Sequence, residues 1–184
     1  MPRTNKTEFA VLGLLSLEPM SGYDMKAFIS QTIGYFWQES YGQIYPALRK
    51  LLGQGFITRR VKAQKGRPDR HVYRLTQKGR RRLNEWLTSE TEPAPLRIEL
   101  LLKLFFGGAT SLPDQMRHIE SLLRQQKERL KTYRHVEKNV LNPHRDEPLF
   151  PYWQATLRYG MHITRARVRW CLETLETLRK KADE

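Results

Sequence analysis

The side chains best suited to chemistry lie on one predicted helix, which starts after Ser40 and stops at Gly53 or Gly55. Stepping 100° per residue from Ile44 puts an apolar row on one face and a hydrogen-bonding row on the other. On an isolated helix the second row would more simply be a solvated face, so its meaning depends on the neighbouring segments. Because it is short of acids and rich in donors, it suits phosphates and base edges in a major groove. The candidate contact residues are Ser40, Tyr41, Gln43, Tyr45, Pro46, Arg49 and Lys50.

The segment after this helix is strongly basic and is predicted to form a β-hairpin. Two β-rich runs flank a turn rich in Gly, Pro and Asp. Between Arg59 and Arg82 there are eleven basic residues and a single acid. A hairpin with Lys65, Arg67 and Arg70 at its tip can reach along a phosphate backbone or into a minor groove. The presence of this hairpin therefore favours a nucleic-acid contact, and not simple solvation, as the role of the polar face on the preceding helix.

The charge balance of the whole chain agrees with this interpretation. The 184 residues contain 33 Lys and Arg against 19 Asp and Glu, a net charge of +14. Such an excess favours a polyanionic partner, either nucleic acid or anionic lipid. Residues 1–90 contain 16 basic and 7 acidic residues, whereas residues 91–184 contain 17 and 12. The first half is the more basic, as expected if it makes the contacts.

Other classes of function find little support. The sequence has no GxSxG, HExxH, P-loop or GxGxxG motif, so we expect no enzyme and no cofactor. The five histidines show no ligand spacing, and the single cysteine, Cys171, is expected to be a buried apolar residue, so no metal site is predicted. No apolar stretch of 18 residues and no signal peptide is present. We expect a cytoplasmic protein without a membrane partner.

The elements that must position these side chains can be read from local signals. Residues 8–17 are apolar on nearly every side and predict a core helix, and Ser21 with Asp24 has capping-box spacing for a second helix. Thr76 caps a fourth helix after the hairpin. Three helices, a hairpin and a further helix in this order predict a winged helix-turn-helix. Ile57 and Val61 alternate in the first β-rich run, and His71, Tyr73 and Leu75 alternate in the second, while the fourth helix is expected to pack inward through Leu83, Trp86 and Leu87.

The sequence also resembles a known family. The segments SGYDMKAF, GQIYPALRKLLGQGFI and GRPDRHVYRLTQKGRRRL resemble the PadR family of transcription regulators, and the rest of the chain looks like the longer C-terminal domain of the branch with the virulence activators. The resemblance implies a homodimer that places two recognition helices in successive major grooves of a partly palindromic operator. It also implies that a small molecule can shift DNA affinity in many relatives.

The C-terminal half is predicted to be a helical dimerisation domain. Residues 93–95, Pro-Ala-Pro, form the best linker, so we expect domains at residues 1–90 and 91–184. Two long helices with apolar residues at alternating steps of four and three predict an antiparallel hairpin. Its seams could be intramolecular, intersubunit or both. The candidate dimer-interface residues are Leu157, Met161, Val168, Leu175 and Leu178.

A small aromatic effector is a further possible partner. Trp37, Phe105, Phe106, Tyr152 and Trp153 could line a pocket for it, although an ordinary aromatic core is the simpler explanation. In sum, we expect a mainly α protein that binds duplex DNA specifically as a homodimer and acts as a repressor. The main alternative is a sequence-tolerant chromosome-architecture protein, which would lack a high ratio of specific to random-DNA affinity.

Overall fold

A computed structural model describes residues 6–62, 69–92 and 96–182 of the chain, which group into two units, residues 1–92 and 93–184. The first unit consists of α1 (Lys6–Leu17), α2 (Gly22–Gln31), α3 (Tyr41–Gly53), β1 (Ile57–Lys62), β2 (Arg70–Leu75) and α4 (Gln77–Thr88). The second consists of α5 (Glu99–Phe105), α6 (Leu112–Val136) and α7 (Phe150–Ala182). The predicted mainly α fold with an N-terminal winged helix-turn-helix is confirmed.

Helix α1 is the centre of the first unit. It is apolar almost all round, and such a helix is stable only when it is covered on most sides. Helices α3 and α4 and strand β2 pack against it. The core residues that α1 contributes are Phe9, Val11, Leu12, Leu14 and Leu15.

The hairpin is attached to the helices at its base. Strands β1 and β2 pair antiparallel, with Ile57 opposite Leu75, and Ile57 is buried in the core. The backbones of Met20 and Tyr73 exchange two hydrogen bonds, of 2.9 and 3.3 Å, so the segment between α1 and α2 is attached to β2. Val61, four residues after Ile57 on the same strand, is exposed.

Helix α4 begins in close contact with the segment that joins α3 to β1. Thr76 Oγ1 accepts from the Gly79 N–H at 3.0 Å and donates to the Phe56 carbonyl at 2.9 Å. Leu83 is buried as predicted, and Trp86 stacks on Phe9 with ring centroids 4.7 Å apart. The expectation that Leu87 packs inward is wrong, because its side chain is 63% exposed.

The second unit is built on a pair of long helices. Helix α6 starts at the cap Ser111, ends as an α-helix at Val136 and continues as a single π-helical turn to Leu141. Helix α7 returns along α6, and the two pack along most of their length. Within the described part of the chain, no helix is long and apolar enough to cross a membrane.

The predicted dimer seam lies mostly inside this helix pair. Leu157, Met161 and Leu175 are buried within a single chain, so their side chains form the core between α6 and α7. Their assignment to a dimer interface is therefore corrected, since a residue already covered offers no apolar area to a partner. Val168 and Leu178 are half-buried, and their interface role stays a prediction.

Gly79 gives a test of this packing. A Cβ added there would lie 2.1 Å from the Phe56 carbonyl oxygen, so either α4 or the segment between α3 and β1 must move. We expect Gly79→Ala to lower the free energy of unfolding by about 3 kcal/mol, measured by urea denaturation. Gly13→Ala is the matched control, because an added Cβ in α1 meets nothing within 4 Å and should stabilise by about 0.5–1 kcal/mol. Equal effects of the two changes would show that the contact does not constrain the fold.

Candidate nucleic-acid interface

Helix α3 begins with a cap that uses two of the predicted contact residues, Ser40 and Gln43. The Ser40 backbone N–H donates to Gln43 Oε1 at 2.8 Å, and the Gln43 N–H donates back to the Ser40 carbonyl at 3.0 Å. The amide oxygen of Gln43 accepts a hydrogen bond in the cap, so the group that Gln43 can offer to a partner is its NH2 donor. This matches the acceptors on guanine and on phosphate.

The two faces of α3 differ as the sequence predicts. Its inner face, Ile44, Ala47, Leu48 and Leu51, is buried against α1, α2 and β1. Every predicted contact residue of the outer face is exposed. These outer residues are Tyr41, Gln43, Tyr45, Pro46, Arg49 and Lys50.

Three exposed tyrosines form a stack beside the start of α3. Tyr41 lies between Tyr23 and Tyr45, with ring centroids 6.5 and 6.2 Å away. The Tyr45 ring covers Gly22, where an added Cβ would approach it to 3.0 Å. Tyr23 is 67% exposed and was not predicted as a contact residue. Its position at the start of α2, next to the recognition helix of a helix-turn-helix, was the available signal.

Arg49 belongs to a cluster that joins α3 to the hairpin. Burial raises the pKa of the Tyr73 phenol, even though a hydrogen bond and charge from Arg59 and the charge of Arg49 lower it. Both guanidinium groups therefore lie near Tyr73. Within the described ranges Arg49 makes no ion pair, so its charge is available to a partner. Arg59 is a second candidate contact that sequence reasoning did not single out.

Lys50 differs from Arg49, although the two are adjacent in sequence. Its ammonium group lies 2.6 Å from Glu8 Oε1 on α1. The Glu8 side chain is largely buried, whereas that of Lys50 is about half exposed. The positive charge of Lys50 is thus compensated inside the chain.

Arg70 is also paired. Its Nη2 lies 2.6 Å from Asp24 Oδ1 and 2.5 Å from Oδ2, while the same carboxylate accepts from the Ser21 N–H at 2.8 Å. Arg70 therefore fastens the start of β2 to the start of α2, a role that was not predicted. Lys65 and Arg67, the other two predicted wing residues, lie outside the described residues.

The turn before α3 is held by a buried acid. Glu39 is 3% exposed and accepts from Thr7 Oγ1 at 3.1 Å and from Trp37 Nε1 at 2.8 Å. Trp37 is thereby committed to this turn rather than to an effector pocket. Of the other predicted pocket aromatics, Phe105 is 83% exposed, and Tyr152 is also largely exposed.

The described residues offer no alternative chemistry. Among them no group of three or more His, Cys, Asp or Glu side chains could hold a metal ion. Cys171 is fully buried, and burial raises the pKa of its thiol, which opposes formation of a reactive thiolate.

Comparison with known proteins agrees with this geometry. Residues 11–85 match the model of the transcriptional regulator PadR-like family, and residues 96–179 match that of the virulence activator alpha C-term domain. The chain therefore contains a PadR-like domain followed by a virulence activator alpha C-term domain. The PadR-like family consists of transcriptional regulators and not of enzymes.

Individual relatives support the assignment. The negative transcriptional regulator PadR of Bacillus subtilis (strain 168) is 36% identical over 105 residues, which is 56% of this chain and 58% of that protein. A crystal structure of Bacillus subtilis PadR with operator DNA superimposes with a TM-score of 0.82 at 27% identity, covering 93% of this chain and 98% of that one. The Vibrio cholerae virulence activator AphA gives 0.77 at 27% identity, with 95% and 99% covered.

The Bacillus subtilis protein has also been solved with a small molecule. Its structure in complex with p-coumaric acid has a TM-score of 0.77 at 25% identity and covers 97% of this chain and 99% of that one. The likeness to PadR therefore extends over both units of the present chain.

The Asp24–Arg70 pair predicts a pH effect on stability. Burial raises the pKa of Asp24, but hydrogen bonds from Arg70 and Ser21 outweigh it and hold the pKa below its usual value. A carboxyl group whose pKa is depressed by folding stabilises the fold above its unfolded-state pKa, and this contribution is lost as the pH falls through the folded-state value. We expect Asp24→Asn to destabilise the protein near neutrality, with the difference shrinking below about pH 4.

Urea unfolding of both proteins at about pH 7 and about pH 3 measures this difference. Glu18→Gln is the control, because it removes the same charge from an exposed site. A destabilisation by Asp24→Asn that is the same at both pH values would contradict the role of the ionised carboxylate.

Proposed function

We propose that this PadR-like protein is a sequence-specific DNA-binding regulator that inserts α3 into the major groove of its operator. The observation that carries the proposal is the outer face of α3, on which Gln43, Tyr45 and Arg49 are exposed while the opposite face is fully buried. The likeness to a PadR structure solved with operator DNA supports it.

The exposed residues divide into two roles. Arg49 offers a planar guanidinium without an ion-pair partner among the described residues, and this group can donate two bonds to a guanine edge. Gln43 offers NH2 donors. We assign Lys65, Arg67 and Arg59 to phosphates, because contacts of basic side chains with the DNA backbone position a protein without reading sequence. Because Arg70 is paired with Asp24, we assign it to holding the wing in place and not to a primary contact with DNA.

We further propose that the protein binds a partly palindromic operator as a homodimer, with residues 1–90 for DNA and residues 91–184 for dimerisation. Two-fold symmetry matches the way that helix-turn-helix proteins meet successive grooves. On α7 the apolar side chains of Tyr152, Tyr159 and Ile163 are exposed on the face turned away from α6. Their spacing of seven and four residues is that of a helix-packing seam, and we place the partner's contact there.

The regulatory sign is proposed from the relatives. A Bacillus subtilis relative is a negative transcriptional regulator, and its structure with p-coumaric acid shows a small molecule bound to it. We propose that the present protein is likewise a cytoplasmic repressor whose DNA affinity a small molecule tunes.

Variants of the adjacent residues Arg49 and Lys50 test whether α3 contacts the operator. Selection from random duplexes would first define the operator, and a chromosome-architecture protein would yield no preferred sequence. Arg49→Ala should then weaken operator binding by about 1–3 kcal/mol in fluorescence anisotropy, because its charge is uncompensated. Lys50→Ala should change the dissociation constant by no more than about threefold, since Lys50 is paired with Glu8.

Glu8→Gln is the matched control, because it frees Lys50 and should leave Arg49 unchanged. We expect it to tighten binding to operator and random DNA alike, as an added phosphate contact does. Full affinity of the Arg49→Ala, Lys50→Ala double variant would remove α3 from the interface.

The dimer proposal is tested by comparing the two faces of α7. Tyr159→Asp with Ile163→Asp should leave the fold intact, since both side chains are exposed, and should convert the protein to a monomer in light scattering. Leu175→Asp should instead unfold the second unit, because burying a leucine is worth about 1.5–3 kcal/mol and an unpaired buried charge adds to the loss. A Tyr159→Asp, Ile163→Asp variant that stays dimeric would place the interface elsewhere.

A further inference from the structure

The second unit contains a cavity that the proposed DNA contacts do not use. It lies between α5, the 3₁₀ turn Gly107–Ala109 and the first turns of α6, and its volume is about 560 Å³. Leu102 and Phe106 give it an apolar wall, and Gln115 is among its polar lining residues. Both the size and the mixture of apolar walls with a few polar groups are typical of small-molecule sites.

Gln115 has an unsatisfied oxygen. Its side chain is 6% exposed, and its Nε2 donates to Thr110 Oγ1 at 2.6 Å. Thr110 Oγ1 in turn donates to the Gly107 carbonyl at 3.4 Å, so the hydroxyl proton is not available to Gln115. This chain of bonds sets the orientation of the amide and leaves Gln115 Oε1 without a hydrogen-bond partner among the described residues. A buried acceptor without a donor is unfavourable and calls for a physical explanation.

Lys103, Asp114 and Arg117, three of the residues that line the cavity, are already in ion pairs. Lys103 Nζ lies 2.7 Å from Glu99 Oε1, and Arg117 pairs with Asp114. An anionic ligand would therefore find no free cation in these two pairs and would have to displace a carboxylate. The lining favours a neutral molecule over an ion.

We propose that this cavity binds a small neutral molecule with an apolar body and one hydroxyl or N–H group, which donates to Gln115 Oε1. Such a donor would satisfy Oε1 while the bond from Gln115 Nε2 to Thr110 Oγ1 is kept. The apolar body packs on Leu102 and Phe106. The proposal deepens the proposed function, on which it rests, by naming the site and the chemical class of the effector.

Two probes of nearly the same shape test the class of ligand. Indole carries one N–H donor, and 1-methylindole carries none. Each is titrated into the full-length ¹⁵N-labelled protein without DNA, and the amide shifts of Gly107 and Gly108 report binding. We expect indole to bind about tenfold more tightly than 1-methylindole, which is the ratio that one added buried hydrogen bond supplies. Equal affinities for indole and 1-methylindole in the wild-type protein would overturn the proposal. So would a titration in which the amide signals of Gly107 and Gly108 do not shift.

Two buried glutamines supply a matched pair of variants. Gln115 and Gln126 lie on the same helix, and both have a buried Oε1 without a partner among the described residues, but only Gln115 is among the cavity's lining residues. Gln115→Leu should abolish the preference for indole while 1-methylindole still binds. Gln126→Leu should retain the preference. The proposal fails if Gln126→Leu reduces the preference for indole over 1-methylindole as much as Gln115→Leu does.

The test of the cavity can fail or succeed independently of the test of DNA binding. The titrations contain no DNA, so a failed selection of operator sequences would refute the DNA-binding role and leave the cavity result standing. Conversely, specific DNA binding with no preference for indole would refute the cavity proposal alone.

Discussion

The one-sided packing of α3 is the constraint on which the first unit depends. A helix that enters a groove must be held rigidly by one face so that the other can stay free. Ile44, Ala47, Leu48 and Leu51 provide this by burying almost completely against α1, α2 and β1. The remaining elements brace that contact: Glu39 secures the turn before α3, and the Gly79 contact holds the chain just after it.

Backbone hydrogen bonds and an ion pair position the hairpin. Its base is attached by backbone bonds between Met20 and Tyr73 and by the ion pair of Asp24 with Arg70. The carboxylate of Asp24 serves two elements at once, since it also caps α2 through Ser21. The angle between the wing and the helix-turn-helix thus depends on one side chain that lies in neither the wing nor α3.

Local signals in the sequence predicted most of the first unit, and long-range pairs could not be predicted. The capping boxes at Ser21 and Ser40 span three residues each, so their spacing is visible in the sequence. The pairing of Lys50 with Glu8 joins residues 42 apart, and nothing local distinguishes Lys50 from Arg49. The apolar repeat on α7 was found, but its partner was not, because periodicity defines which face of a helix is buried and not what buries it. For the same reason Leu87 was wrongly placed inward.

The seam between α6 and α7 also bears on how subunits come together. Its leucines and methionine are covered by the chain's own helices, so the core between α6 and α7 forms within one chain. In the proposed homodimer, association would then follow the folding of this helix pair instead of accompanying it. Exchange of subunits would be limited by dissociation and would require no unfolding of α6 and α7. Two regulators with the same outer face on α7 could then form mixed dimers in one cell, with a different α3 in each subunit.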